Sequence, residues 1–508
     1  MAGIEFTTKS VPVAKTTFSG GLNSTSGALN VQDNEATDLQ NIDFNLFGSF
    51  VKRNGFTRLN STALDGGITG LHWFQEVSGT TSLIAVAGTK LYHDTDVSGT
   101  FTEITGGLTI TDNDSNHWNL NTFNDTVVGT SELDAPFKIS NALVASALTL
   151  PTNVTIPKYN QAFNNYNFIA VPTLSGTLKH SRVYWSNIDT VDTWTDTDFA
   201  DVGLDDVAGS ITGLKILGDR LVIFKERAIY VSLFTGDADI PFTFLKTPSD
   251  VGCISGDSVQ EIKNGFMFLA QDGFYFFDGS NSIKVSDRIT TTLELFNRNR
   301  FPEAVSTYQR EKNRYWCSFT TDGTSEHDRV ITWDAANNAF SFYKGHAANA
   351  YAITFVSGEE RVYFGDYVGR VYRGDTAEDD QDTSGVDVAV DAFFKTKWYN
   401  FGDIVDKKGI GQVSLFHQID QNNISFSYSY DFEEGDQFSK TVDFSTSASI
   451  YGTDIYGTAT YGGSGGRVQR IDLTGRGRVV RFHINNSAKD EGFQIDGMGI
   501  LPHLETNA

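Results

Sequence analysis

The chain has 508 residues, a formal net charge of -24 and 13% aromatic residues. Such acidity disfavours nonspecific binding to nucleic acid and to anionic membranes, and reads either as solubility or as a surface that passes DNA without gripping it. The nine histidines are scattered, and there is no HExxH, no GxxxxGK[ST] and no GxSxG, which removes the commoner metal, phosphate and nucleophile chemistries.

Phe occurs 39 times, Tyr 19 times and Gly 48 times, with no long helical periodicity, so the composition predicts an all-β chain with many tight turns. The opening MAGIEFTTKS lacks an apolar signal-peptide core, and no run reaches membrane-spanning length. The expectation is no membrane segment, and any extracellular role reached by a route other than ordinary secretion.

Residues 1–55 read as an extended N-terminal arm. GGLNSTSGALN is rich in Gly, Ser and Asn. Asp33 is placed to cap a short helical turn carrying Ala36, Leu39 and Ile42, ended by Gly48 before a strand near Phe50.

Residues 56–375 repeat one unit, an apolar run, a short turn and a second apolar run. It recurs at Leu83 to Tyr92, Asn124 to Ile139, Asn167 to Trp185, Leu221 to Val231, Phe266 to Phe277, Arg314 to Trp333 and Arg361 to Tyr372. Continuous apolarity over four or five residues means a strand buried on both faces. A period of about 40–50 residues is that of a propeller blade, and stacking blades buries faces that one hairpin leaves open. The reading is a β-propeller of about seven blades. Cys253 and Cys317 sit beside strand-like residues without metal-ligand spacing and read as reduced core residues, as in a protein that folds in a cytosol.

Residues 376–387 form an acidic break, read as a solvated linker because a calcium loop needs a tight Gly turn and a closing Glu. Asp112-Asn113-Asp114 with Asn116 fails the same test, since Phe123 stands where the Glu belongs. From 388 to 508 the strands lengthen and alternate, as in Asn422 to Glu433 and Gly477 to Asn486, which predicts a β-sandwich-like domain. Within it Tyr451, Tyr456 and Tyr461, each followed by Gly, read as a long loop. Its rings could cover their own sandwich, meet another subunit or partner, or stack on glycan. Arg467, Arg470, Arg476, Arg478 and Arg481 follow. In so acidic a chain they read as partners for carboxylates of a neighbouring subunit or as solvated charges, with DNA-backbone contact as the alternative.

The N-terminal FSGGLN and DNEATDLQNIDFNLFGSFVKRNGF carry a resemblance, on Asp33, Asn34, Glu35, Asp38, Leu39, Asp43, Gly48, Arg53 and Gly55. With SRVYWSNIDTVDTW, GDRLVIFKERAIYV, NGFMFLAQDGFYFFDG and VSDRI in similar order, the chain resembles the nozzle or tail-hub proteins of short-tailed bacteriophages, which include the packaged-DNA stabilisation proteins. The resemblance implies a propeller-bearing subunit of a virion, assembled in the host cytoplasm as a ring, a sixfold homo-oligomer below the portal and adaptor. It implies a structural conduit for double-stranded DNA, not an enzyme, with no cofactor, metal or catalytic residue. An acidic lumen would let DNA slide. Two alternatives stand beside it. The seven tryptophans and the Tyr-Gly loop fit a receptor- or glycan-binding tail propeller. SNIDTVDTW is a loose match to the aspartate box of propeller glycosidases, and 63 Asp and Glu leave a catalytic carboxylate pair neither found nor excluded.

Overall fold

The computed structural model describes residues 13–45, 48–204, 208–237, 240–402, 404–417, 422–444 and 467–504. Among these residues the chain forms seven four-stranded antiparallel sheets arranged as the blades of a propeller. The seven apolar hairpins of the sequence supply the two middle strands of each blade. Thr81–Ala87 with Lys90–Thr95 does so in blade one, and Glu359–Gly365 with Val371–Ala377 in blade seven. Middle strands lie between sheet neighbours and between adjacent blades, which is why their apolar runs are continuous.

The innermost strands, Ile68–Gln75, Asn119–Phe123, Tyr159–Phe163, Ile211–Leu217, Gln260–Ile262, Val305–Gln309 and Ala350–Val356, gather round the axis. The ring closes through blade seven. Its outermost strand is Gly55–Arg58 from the N-terminal side, with Tyr372 opposite Arg58 and Gly374 opposite Phe56. Phe56 packs edge-on against Phe364 and Tyr372, so an apolar contact reinforces the closure.

Two further sheets form a sandwich beyond blade seven, and both ends of the chain build it. One sheet runs Gly21–Leu22, Glu35–Gln40, Ala392–Thr396, Val480–Asn486, Ile424–Tyr430 and Phe438–Val442. The other runs Ile42–Phe44, Phe50–Lys52, Gln494–Leu504, Lys408–His417 and Arg467–Asp472, with Val13–Thr16 pairing Gln494–Leu504 and Arg476–Gly477 pairing Lys408–His417.

The strands of the N-terminal arm complete both sandwich sheets. Two expectations are corrected here. The helical turn after Asp33 is instead the strand Glu35–Gln40, in which Leu39 stands opposite Phe394. Helix-forming residues there are overridden by a partner strand that offers a ladder and a buried face. The acidic stretch after residue 375 is not a solvated linker. Asp380–Gln381 pairs with Asp387–Val388, and Asp379 and Asp380 are buried.

The sandwich sits on the outer strand of blade six. Strands Gly21–Leu22, Glu35–Gln40 and Ile42–Phe44 lie against Ala339–Lys344. One apolar core crosses the contact. It joins Met267 and Phe274 of blade five and Tyr315, Trp333 and Phe340 of blade six to Phe18, Phe50, Phe394, Phe426 and Phe482 of the sandwich. Phe50 and Phe394 stack at 4.4 Å between ring centroids, with Phe18 edge-on to both. Cys253 and Cys317 are buried free thiols, as the sequence predicts.

Candidate functional site: the joint between propeller and sandwich

The glycine pair of FSGGLN brings the chain onto blade six. Gly21 has φ +71°, and a Cβ there would stand 2.8 Å from the backbone nitrogen of Phe340. Only glycine allows both the left-handed backbone and that approach. The strand Glu35–Gln40 then carries Glu35 inward. Its Oε2 accepts from Asn23 Nδ2 at 2.8 Å and from the Gln32 backbone N–H at 2.9 Å, while Oε1 faces Arg288 Nη1 at 3.3 Å. Asn34 contributes its carbonyl to the Gly20 N–H, and Asp33 and Asp38 reach outward to Lys397 at 2.6 Å and Lys395 at 2.9 Å.

Asp43 is the next inward carboxylate. It accepts from Tyr343 Oη and from Arg314 Nη1 at 2.9 Å, both on blade six. Gly48 takes φ +79° and its carbonyl accepts from Phe18 N–H at 2.8 Å, closing the turn between Ile42–Phe44 and Phe50–Lys52. A cleft of about 460 Å³ beside Asp43 is lined by Lys52, Asn54, Lys312, Arg314 and Asp375 among others.

Lys52 and Arg53 are both buried and engage the acidic stretch after blade seven. Arg53 donates Nη1 to Asp380 Oδ1 at 2.7 Å and Nη2 to Asp380 Oδ2 at 2.6 Å, with Nε on Asn41 Oδ1 at 2.9 Å. Its guanidinium lies over the Tyr343 ring at 5.3 Å. Burial pulls the Arg53 pKa down, but the charge and hydrogen bonds of Asp380 outweigh it and hold the group above its usual range. Lys52 Nζ donates to Asn486 Oδ1 and to the carbonyls of Ala488 and Glu491. Gly55 follows because a Cβ there would stand 1.9 Å from the Asp379 carbonyl oxygen.

The structure therefore gathers Glu35, Asp43, Gly48, Arg53 and Gly55 at or beside one joint. Their partners Arg314, Tyr343 and Asp380 escape sequence reasoning, because hundreds of residues separate them. The Lys52-Arg53 pair, where the strand Phe50–Lys52 ends, was the one available signal.

Not all of the C-terminal arginines share a face, although Arg470 and Arg476 both lie opposite outward-facing positions of Lys408–His417. Arg470 and Arg476 belong to the second sheet and are exposed, Arg478 follows the short strand Arg476–Gly477 and is exposed, and Arg467 begins the strand Arg467–Asp472. Arg481 lies in the other sheet, donates Nη1 to Glu434 Oε2 at 3.1 Å and covers Trp398 at 4.5 Å. The five do not line one strand because the chain leaves one sheet for the other between Gly477 and Val480. Tyr451, Tyr456 and Tyr461 lie outside the described residues.

The innermost strands line small cavities around the propeller axis. Cavities of about 300 Å³ and 150 Å³ near His117, Asn119 and Asp257 are far too small for a duplex. Groups around them are mostly tied to neighbours, such as His117 Nε2 with Asn349 Oδ1 at 2.9 Å and Lys158 with Glu132 at 2.6 Å. No group of three or more His, Cys, Asp or Glu suited to a metal ion occurs among the described residues. Among the described residues no helix is long and apolar enough to cross a membrane.

No protein-family model matches this chain, and no curated protein matches it. Among solved structures, the chain is similar to YCF48 from Cyanidioschyzon merolae at 10% identity, covering 63% of this chain and 98% of that one, with a TM-score of 0.40. It is similar to a chain of the BBS1N–ARL6DN complex at 8% identity, covering 64% and 98%, with a TM-score of 0.41. It is also similar to the computationally designed Ika8 protein at 12% identity, covering 63% and 100%, with a TM-score of 0.37. The blade assignment rests on strand pairing within this chain.

Proposed function

We propose that the chain is a structural subunit of a bacteriophage tail, a nozzle or hub that forms a sixfold ring below the portal and adaptor and encloses part of the DNA path. One observation carries the reading. The residues on which the resemblance to tail nozzles rests include Glu35, Asp43, Arg53 and Gly55, and these join the propeller to the sandwich over a shared core. A signature spent on making one stiff body from two folds suits a part that bears load and keeps a channel open. The DNA path in this reading runs between subunits, since the cavities near the propeller axis are too small for a duplex. A net charge of -24 then favours sliding over gripping.

The test is the assembly state of the full chain, alone and with virion tail components, by mass-resolved chromatography and negative-stain imaging. Closed rings with a central hole support the reading. A chain that stays monomeric under both conditions and binds host polysaccharide overturns it in favour of a receptor-binding propeller.

A further inference from the structure

Two surfaces on opposite sides of the molecule carry opposite charge and uncovered apolar side chains. The first is the outer edge of blade three, Trp194–Asp201, which pairs on one side only. Tyr184 stands opposite Phe199 and Ser186 opposite Trp194, so Thr195 to Asp198 face Trp185 alone and bulge from the edge. From Asp189 to Asp201 the sequence holds five aspartates and no Lys or Arg. Lys138 neutralises Asp192, and Arg182 neutralises Asp201 at 2.6 Å. Asp189, Asp196 and Asp198 form no ion pair among the described residues. Ile188 and Leu204, 55% and 65% exposed, flank them.

The second surface is the outer face of the sandwich sheet that ends in Arg467–Asp472. Val413 and Leu415 point into the core, so Ser414 and Phe416, and with them Arg470 and Val468 opposite, point out. Arg476, opposite Gly409, continues the row. The adjoining strand places Gly499 opposite Ser414 and Gly497 opposite Phe416, which leaves the face flat. Val468 is 47% exposed. From Arg467 to Arg478 the sequence holds four arginines against one aspartate, a rare basic stretch in a chain of charge -24.

We propose that the arginine face of one copy seats on the aspartate edge of blade three in the next copy, head to tail. This rests on the ring reading above and names its contact. The occupant follows from charge. Most of this surface repels a second copy, and the arginine face is where a second copy's bulge is attracted. Arginine forks suit paired carboxylates, and Val468 and Phe416 offer apolar cover to Ile188 and Leu204. The sandwich rides on blade six, and blade three lies across the propeller from it. Two different patches on opposite sides make a heterologous contact, which closes into a ring when the rotation allows.

The experiment uses the full chain under conditions that give rings. Asp196→Lys with Asp198→Lys, and separately Arg470→Glu with Arg476→Glu, each lower the ring fraction by about tenfold or more. The chain carrying all four changes recovers rings, and circular dichroism with melting curves verifies that each variant is folded. As a second readout, Thr197→Cys with Val468→Cys gives a ladder of disulfide-linked copies on oxidation. Rings that ignore both charge reversals and give no ladder overturn this contact while leaving the ring reading standing. Absence of rings from the unaltered chain, alone and with tail components, overturns both.

Discussion

Arg53 clasps Asp380 through two parallel hydrogen bonds of 2.7 and 2.6 Å, across 327 residues of sequence, with the arginine side chain 2% exposed. The pair ties the strand entering the propeller to the chain leaving it, one residue from the strand that closes blade seven. Removing one partner strands a buried charge, which typically costs about 3–5 kcal/mol. Arg53→Ala and Asp380→Ala are each expected to destabilise by that amount in denaturant unfolding. The double variant Arg53→Met with Asp380→Leu recovers much of the loss, because no charge is then left unpaired. Equal losses in single and double variants would show that the pair is not the source.

Gly21 offers a test of how closely the sandwich approaches blade six. Its left-handed backbone and the 2.8 Å approach of Phe340 nitrogen to a built Cβ leave no flexible atom to yield. Gly21→Ala is expected to destabilise by about 2–4 kcal/mol. Gly27→Ala is the control, since its nearest neighbour is the Asn30 side chain at 3.8 Å, and it should change stability by about 0.5 kcal/mol or less. A melting series on both variants decides the point.

The parts of the fold that were legible share one property, burial on both faces. Phe266 to Ala270 and Leu221 to Phe224 read as strands because every residue in them is buried. Innermost strands such as Gln260–Ile262 mix axis-facing polar residues with buried ones, and outer edges such as Trp194–Asp201 are solvent-washed, so neither shows a pattern. Glu35–Gln40 misled because its composition suits a helix and its partner Ala392–Thr396 comes from the far end of the chain. The joint was hidden for the same reason. Asp379 and Asp380 look solvated until Lys52 and Arg53 are placed beside them in space.

Two buried histidines, His327 and His346, contribute to the acid response together with His72, which burial pulls down to about 4. His327 is held between the Ala348 carbonyl and Tyr367 Oη, and burial, helped by His117, pulls its pKa down to about 3. His346 lies against Phe364 at 4.0 Å, and burial, helped by Arg53, holds it well below 6.5. Folded values below the unfolded value mean that the unfolded chain binds these protons first. The stabilisation is therefore complete above pH ~6.5 and is lost as the pH falls below it. By pH 5 His327 removes about 2 kcal/mol, and His346 acts in the same direction. Carboxyls that burial raises, such as Asp366, act with the opposite sign just above 3.8. Melting temperature should fall from pH 7 to pH 5, and His346→Gln should flatten that fall. An unchanged slope in the variant would clear His346 of the role.

Cooperativity between propeller and sandwich follows from the core they share. Phe394 packs against both Phe18 and Phe50, and the same apolar cluster reaches Phe340 and Trp333 in blade six. No boundary separates two cores, so calorimetry of the full chain is expected to show the sandwich and blades five and six unfolding in one transition. Phe394→Ala should cost about 3–5 kcal/mol and move that whole transition, rather than split off a sandwich phase. The segment 388–508 expressed alone should stay unfolded, because it lacks Glu35–Gln40 and Phe50–Lys52, which pair with Ala392–Thr396 and Gln494–Leu504. Adding residues 13–54 as a separate peptide should restore strand signal in circular dichroism if those strands are what it lacks. Independent folding of 388–508, or a sandwich transition that moves without the blades, would show that the shared core does not couple the two.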